Sequence, residues 1–169
     1  MRIAICPGSF DPVTLGHMDI IRRASNLFDK VIVVVMTNSS KKPLFDQVER
    51  MELLNRAVAQ EGLRNIVVDC YDGLLADYVK LRGATVVVKG LRAMSDFEYE
   101  FQMALTNRKL NPQAETVFLT TTAEHMYLSS SLVKQVAHYG GDVSDLVPSC
   151  ILPDIISKYR KDNEDEHEH

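Results

Sequence analysis

The sequence predicts an α/β fold: a doubly wound, five-stranded parallel sheet of Rossmann-like layout. It forms a single domain at residues 1–160, followed by an acidic, disordered tail at 161–169. Three observations carry this expectation. Apolar runs alternate with helical patterns along the whole body of the chain, which implies right-handed crossovers between parallel strands. The run Val31 to Met36 is continuous and β-branched, as strands covered on both faces are. The stretches between the runs start and stop at recognisable caps.

Taken in order, Arg2–Cys6 reads as the first strand. Met18, Ile21, Ala24 and Phe28 then recur at helical steps, and Val31–Met36 is the second strand. Asp46 with Glu49 three residues on is a capping-box start, and Val48, Met51, Leu54 and Val58 form the stripe behind it, stopped by Gly62. Ile66–Cys70 is the third strand, and Leu74, Leu75, Tyr78 and Leu81 mark a helix that ends before Gly83. Thr85–Val88 is the fourth strand. Phe97, Phe101, Ala104 and Leu105 line one face of the next helix, which Asn111-Pro112 closes. Thr116–Leu119 is the fifth strand, and Ser130–Tyr139 and Leu152–Tyr159 are the last helices.

Composition narrows the function classes. The net charge of −4 resides in the final nine residues, KDNEDEHEH, which hold one Lys against five acids and leave 18 basic and 18 acidic residues in the body. A neutral body lacks the broad basic face of a nucleic-acid binder, so any anion site must be local. No window approaches 18 uncharged apolar residues and the N-terminus has no cleavage pattern, which predicts no membrane span, no signal peptide and a cytoplasmic protein. Cys6, Cys70 and Cys150 are far apart without ligand spacing and read as buried thiols.

In a doubly wound sheet, ligands bind beyond the carboxyl ends of the strands. Neither GxxxxGK[ST] nor a GxGxxG after the first strand occurs, so two common phosphate fingerprints are absent. The first loop instead offers Gly8-Ser9 and Thr14-Leu-Gly16-His17 at a helix start, where free N–H groups and the helix dipole favour anions. Read singly, His17 is equally a capping or packed histidine. Later strands end in similar chemistry: Ser39-Ser-Lys41-Lys-Pro43, Lys89-Gly-Leu-Arg92 and Leu128-Ser-Ser-Ser131. Four anion-friendly loops on one sheet edge point to a polyphosphate site. With no two-metal carboxylate cluster and no Ser-His-Asp order beside them, the chemistry expected is phosphoryl-centred and driven by positioning and positive charge.

These residues resemble the nucleotidyltransferase superfamily, and within it the bacterial phosphopantetheine adenylyltransferases of coenzyme A synthesis. PGSFDPVTLGHMDII, SSKKPLF, KGLRAMSDFEYEFQMALTNRKL and LSSSLVKQVAHYGGDV carry the resemblance, which spans about residues 3–147. It implies a nucleotidyltransferase fold, and transfer of the adenylyl group of ATP to 4′-phosphopantetheine, giving dephospho-CoA and pyrophosphate. It further implies His17 and Lys41 as catalytic residues. Ser9, Phe10, Gly90, Leu91, Arg92 and Glu100 would join His17 around ATP, together with His125, Met126, Tyr127, Leu128, Ser129, Ser130 and Ser131. Ser9, Lys41, Leu75 and Lys89 would hold the acceptor. Magnesium travelling with ATP, a homohexamer and CoA as feedback inhibitor are implied likewise. Glu100 also reads as a solvated helix position, Leu75 as core, and His138 as a C-terminal cap. Lys89 stands where the family usually has arginine, His125 where it has an aromatic residue, and Lys134 where the wider superfamily has arginine. The rival readings are another small nucleotidyltransferase, such as a cytidylyltransferase or mononucleotide adenylyltransferase, and a non-catalytic adenine-nucleotide sensor.

Overall fold

The structure, a computed structural model, describes residues 1–37 and 42–167, with backbone alone at 94, 95 and 162–167. Five parallel strands form one sheet in the order β3-β2-β1-β4-β5: β1 (Ile3–Gly8), β2 (Lys30–Met36), β3 (Ile66–Tyr71), β4 (Val86–Leu91) and β5 (Glu115–Thr120). The chain steps outward from β1 to β3, crosses back to β4, and continues the other way to β5. The reversal between β1 and β4 is the topological switch point.

Six α-helices fill the connections: α1 (Leu15–Leu27), α2 (Gln47–Gln60), α3 (Leu75–Leu81), α4 (Met94–Leu110), α5 (Ser130–His138) and α6 (Leu152–His167). Alternation along β2 divides the core in two. Val31, Val33 and Val35 face the cluster that includes Met18, Ile21, Leu54 and Ile155 from α1, α2 and α6. Ile32 and Val34 face the opposite cluster, with Tyr78 and Val79 of α3. The continuous β-branched run is thus covered on both sides, as expected of a central parallel strand.

The helices differ from the sequence reading in which face they bury. On α2 the buried positions are Arg50, Leu53, Leu54, Ala57 and Val58, while Val48 is 74% exposed. Val48 and Arg50 lie about 200° apart on a helix, so the inward turn of the buried Arg50 carries Val48 to solvent. On α3, Ala76, Tyr78 and Val79 are buried, whereas Leu74 and Leu81 are exposed. The apolar face of α4 lies open: Phe101 is 48% and Leu105 55% exposed. Phe97 stacks on Phe101 at 5.6 Å between ring centroids. Helix α6 runs past Tyr159 to His167, through seven residues of the segment 161–169. Of the cysteines only Cys6 is buried; Cys70 and Cys150 are half-buried, and all three are free.

Candidate active site

The site exists because two neighbouring strands part. β1 and β4 pair only at Ala4↔Val86 and Ile5↔Val87. Beyond those positions β1 stays with β2 as far as Gly8↔Val35, and β4 stays with β5 as far as Leu91↔Thr120. The carboxyl ends of β1 and β4 are left without ladder partners on their shared side. A cleft of about 260 Å³ opens there, floored by Cys6, Pro7 and Gly8 of β1 and by Val88, Lys89 and Gly90 of β4. Lys89, Gly90 and Leu91 are therefore part of the fourth strand, not of a loop after it: pairing with β5 continues where pairing with β1 has ended.

The segment joining β1 to α1 is held tightly. Phe10 adopts a left-handed backbone (φ 48°), uncommon for a residue with a side chain. Its ring lies where a Cβ on Gly8 would approach it to 2.9 Å, so any larger residue there would have to displace the ring. Asp11, 5% exposed and followed by a cis peptide to Pro12, accepts the N–H groups of Leu44 and Phe45 at 2.8 and 2.9 Å. It also receives Lys134 Nζ at 3.3 Å. The buried Arg50 donates to the Ser9 carbonyl at 2.9 Å. Buried charges need such partners, and here the partners fix three segments around the cleft mouth.

His17 occupies the third position of α1 within a reciprocal capping box. Its N–H donates to Thr14 Oγ1 at 3.2 Å, and the Thr14 N–H donates to its Nδ1 at 3.0 Å. Nδ1 is thereby an acceptor, so the neutral ring carries its proton on Nε2. Phe10 packs edge-on against the imidazole at 4.9 Å. Burial, then the Arg92 and Lys89 cations, push the His17 pKa down to about 4. At neutral pH the residue is an uncharged N–H donor on the cleft wall. Capping and site chemistry are one arrangement: the cap fixes the tautomer.

Two helix starts converge on this cleft. Gly16 and His17 bring the N-terminus of α1, and Ser129 and Ser130 that of α5. Ser129 caps α5 by accepting the Leu132 N–H at 3.1 Å, and the Ser130 hydroxyl donates to the Pro12 carbonyl at 2.8 Å. Arg92 is braced by donating to the Leu128 carbonyl at 2.9 Å and to Asp96 at 3.1 Å. Lys89 pairs with Glu100 at 3.3 Å. Two dipole ends, two fixed cations and a neutral imidazole donor thus surround one crevice, an arrangement suited to a chain of phosphates. The Cys6 thiol on the floor is pushed up to about 12 by burial, so it stays protonated and non-nucleophilic.

The cleft brings together Phe10, His17, Lys89, Gly90, Arg92 and Glu100. His125, Leu128, Ser129 and Ser130 close it from the other side. Ser9 lies beside it at the end of β1 through its Arg50 contact, and Leu91 ends β4. Leu75 lines a separate small cavity that shares Lys89 and Glu100 with the main cleft. Met126, Tyr127 and Ser131 are exposed and outside the lining. Lys41, with Ser39 and Ser40, falls on residues 38–41, outside the described residues. Sequence reasoning took Thr14 only as part of the His17 motif, without its capping role, and gave Asp11 and Arg50 no role. Thr14 was findable, since Thr14-x-x-His17 has capping-box spacing with histidine in the reciprocal place; the long-range partners of Asp11 and Arg50 leave no local pattern.

A cytidylyltransferase-like family matches residues 5–136. The phosphopantetheine adenylyltransferase of Caldanaerobacter subterraneus subsp. tengcongensis is 54% identical over 161 residues, covering 95% of this chain and 99% of that one. That of Alkaliphilus metalliredigens is 57% identical over 152 residues, covering 90% and 96%. A nicotinic acid mononucleotide adenylyltransferase of Plasmodium falciparum, solved with NaAD, superposes with a TM-score of 0.67 at 16% identity, covering 96% of both chains, a likeness of fold alone.

Proposed function

The chain belongs to the cytidylyltransferase-like family and, within it, to the phosphopantetheine adenylyltransferases, and from that premise we propose how its cleft carries the reaction. The enzyme is a nucleotidyltransferase that joins the adenylyl group of ATP to 4′-phosphopantetheine, giving dephospho-CoA and pyrophosphate. An oxygen of the acceptor phosphate attacks the α-phosphorus of ATP in line. The bond from that phosphorus to the β-bridging oxygen breaks, and pyrophosphate leaves with the electron pair. The acceptor phosphate is already ionised near neutral pH, so no strong base is required.

The observation that carries this reading is the convergence of the α1 and α5 N-termini, His17, Lys89 and Arg92 on the cleft between the parted ends of β1 and β4. His17 donates its Nε2–H to the α-phosphate, where charge crowds in the transition state. Arg92, Gly90, Leu91 and the segment from His125 to Ser131 hold ATP, with Phe10 and Ser9 beside it. Lys89 and Leu75 meet the acceptor, and the family resemblance assigns Lys41 a catalytic role and the acceptor phosphate. Magnesium, as the family resemblance implies, would come in with the nucleotide phosphates as part of the substrate.

Further readings rest on the same assignment. CoA, which contains the product, competes for the cleft as a feedback inhibitor. The assembly is taken as a homohexamer from the family resemblance, and the open apolar face of α4 offers a contact surface between copies. No helix among the described residues is long and apolar enough to cross a membrane. The cytoplasm, where ATP is at hand and three free thiols are stable, is the proposed compartment. The deciding experiment incubates the protein with ATP, magnesium and 4′-phosphopantetheine and follows pyrophosphate. Release is expected; release only with a mononucleotide or another phosphate acceptor overturns the assignment, and nucleotide binding without any turnover returns the sensor.

A further inference from the structure

The ion pair between Lys89 and Glu100 is the wall shared by two cavities. A cavity of about 80 Å³ opens on the far side of it, beside Leu75, Tyr99 and Asn107. Lys89 and Glu100 are the residues that line both this cavity and the main cleft. Lys89 Nζ stands 3.3 Å from Glu100 Oε2, and the two side chains are only 27% and 18% exposed. Lys89, which the proposed function assigns to the acceptor phosphate, has its charge already matched by a carboxylate of the same protein.

We propose that Glu100 is a specificity-determining residue that competes with the acceptor phosphate for Lys89 and so holds down ground-state affinity for the dianionic acceptor. This rests on the adenylyl-transfer reading above. Near neutral pH a phosphate monoester carries close to two negative charges. It must share Lys89 with Glu100 in a poorly hydrated site, where like charges repel more than in water. As the new P–O bond forms, the attacking oxygen becomes the bridge of a phosphoric anhydride. The acceptor phosphorus then carries one negative charge, and the other has passed to the departing pyrophosphate. Repulsion by Glu100 is therefore greatest in the bound substrate and relieved along the reaction. An interaction that is unfavourable in the ground state and fades in the transition state raises kcat at the expense of KM. A lysine suits this role: as a point charge on a flexible stem it can exchange one anion for another, where a bidentate arginine would stay with its carboxylate.

Glu100→Gln, close to isosteric, tests the proposal with thermal melting as the check on folding. The expected result is a KM for 4′-phosphopantetheine lower by about tenfold, with kcat lowered in parallel. The Kd for dephospho-CoA, which bears a single charge at the same phosphorus, should fall by a smaller factor. An acceptor KM that is unchanged or raised in Glu100→Gln overturns the proposal. So does an equal shift for dephospho-CoA, or a change confined to the KM for ATP. Absence of turnover by the unaltered enzyme would instead overturn the adenylyl-transfer reading on which the proposal stands. Should Glu100→Gln melt early, calorimetric titration of the acceptor into it at low temperature decides: tighter binding supports the proposal, and equal or weaker binding overturns it.

Discussion

His17 is committed at Nδ1 to the Thr14 backbone and turns its other nitrogen to the cleft. With the pKa pushed down to about 4, the ring works as a neutral donor, and removing it leaves the cations of the cleft in place. His17→Ala should therefore lower kcat by about 10²–10³-fold, the loss typical of one transition-state donor, while ATP still binds in calorimetry. Unaltered turnover would remove His17 from the mechanism. The same depressed pKa makes a stability prediction. The unfolded histidine titrates near 6.5 and the folded one near 4, so between those values the unfolded chain binds the extra proton. Stability should fall as pH drops from about 6.5 toward 4, and the fall should be shallower in His17→Gln, measured by denaturant unfolding across that window. Imidazole ¹⁵N shifts at pH 7 should report the Nε2–H tautomer; a protonated ring would contradict it.

At the scale of elements, the chain's own caps and its tertiary packing make separable contributions. Asp46 accepts the Glu49 N–H and Glu49 accepts the Asp46 N–H, both at 2.8 Å, as the spacing alone predicted. Asp46→Ala should cost about 1 kcal/mol in urea denaturation, the usual worth of an N-cap. Val48, placed on the buried stripe by periodicity, is exposed because Arg50 takes the inward position to reach the Ser9 and Asp46 carbonyls. Val48→Lys should accordingly change stability by less than about 0.5 kcal/mol. A loss of several kcal/mol would mean that Val48 is covered. Periodicity finds a helix reliably but leaves its rotation open by a residue when a charged side chain is drawn inward by distant carbonyls.

For the whole molecule, the open face of α4 is the unbalanced feature. Phe97, Phe101 and Leu105 recur at helical spacing, and the sequence reads them as a packed face, yet all three stay partly exposed among the described residues, Leu105 by 55%. Contiguous exposed apolar surface marks an interaction site, and the proposed homohexamer gives that face a partner. Phe101→Glu should shift the protein to a smaller species in light scattering, through the cost of burying a charge at the contact. An unchanged mass would show that the assembly does not use α4.

Residue patterning within single segments was enough to determine the strand–helix alternation, the parallel five-stranded sheet, the Asp46–Glu49 capping box and the family itself. Those features depend on local periodicity, on capping chemistry and on contiguous motifs, all written in neighbouring residues. Folding decided what depends on residues far apart. It placed the cleft where β1 and β4 stop pairing, because strand divergence is a property of two ladders and not of either strand. It gave Lys89 a carboxylate partner, buried Asp11 under the Leu44 and Phe45 amides, and turned Arg50 inward. It also made His17 a neutral donor, since burial and the Arg92 and Lys89 cations at the end of β4 push its pKa down.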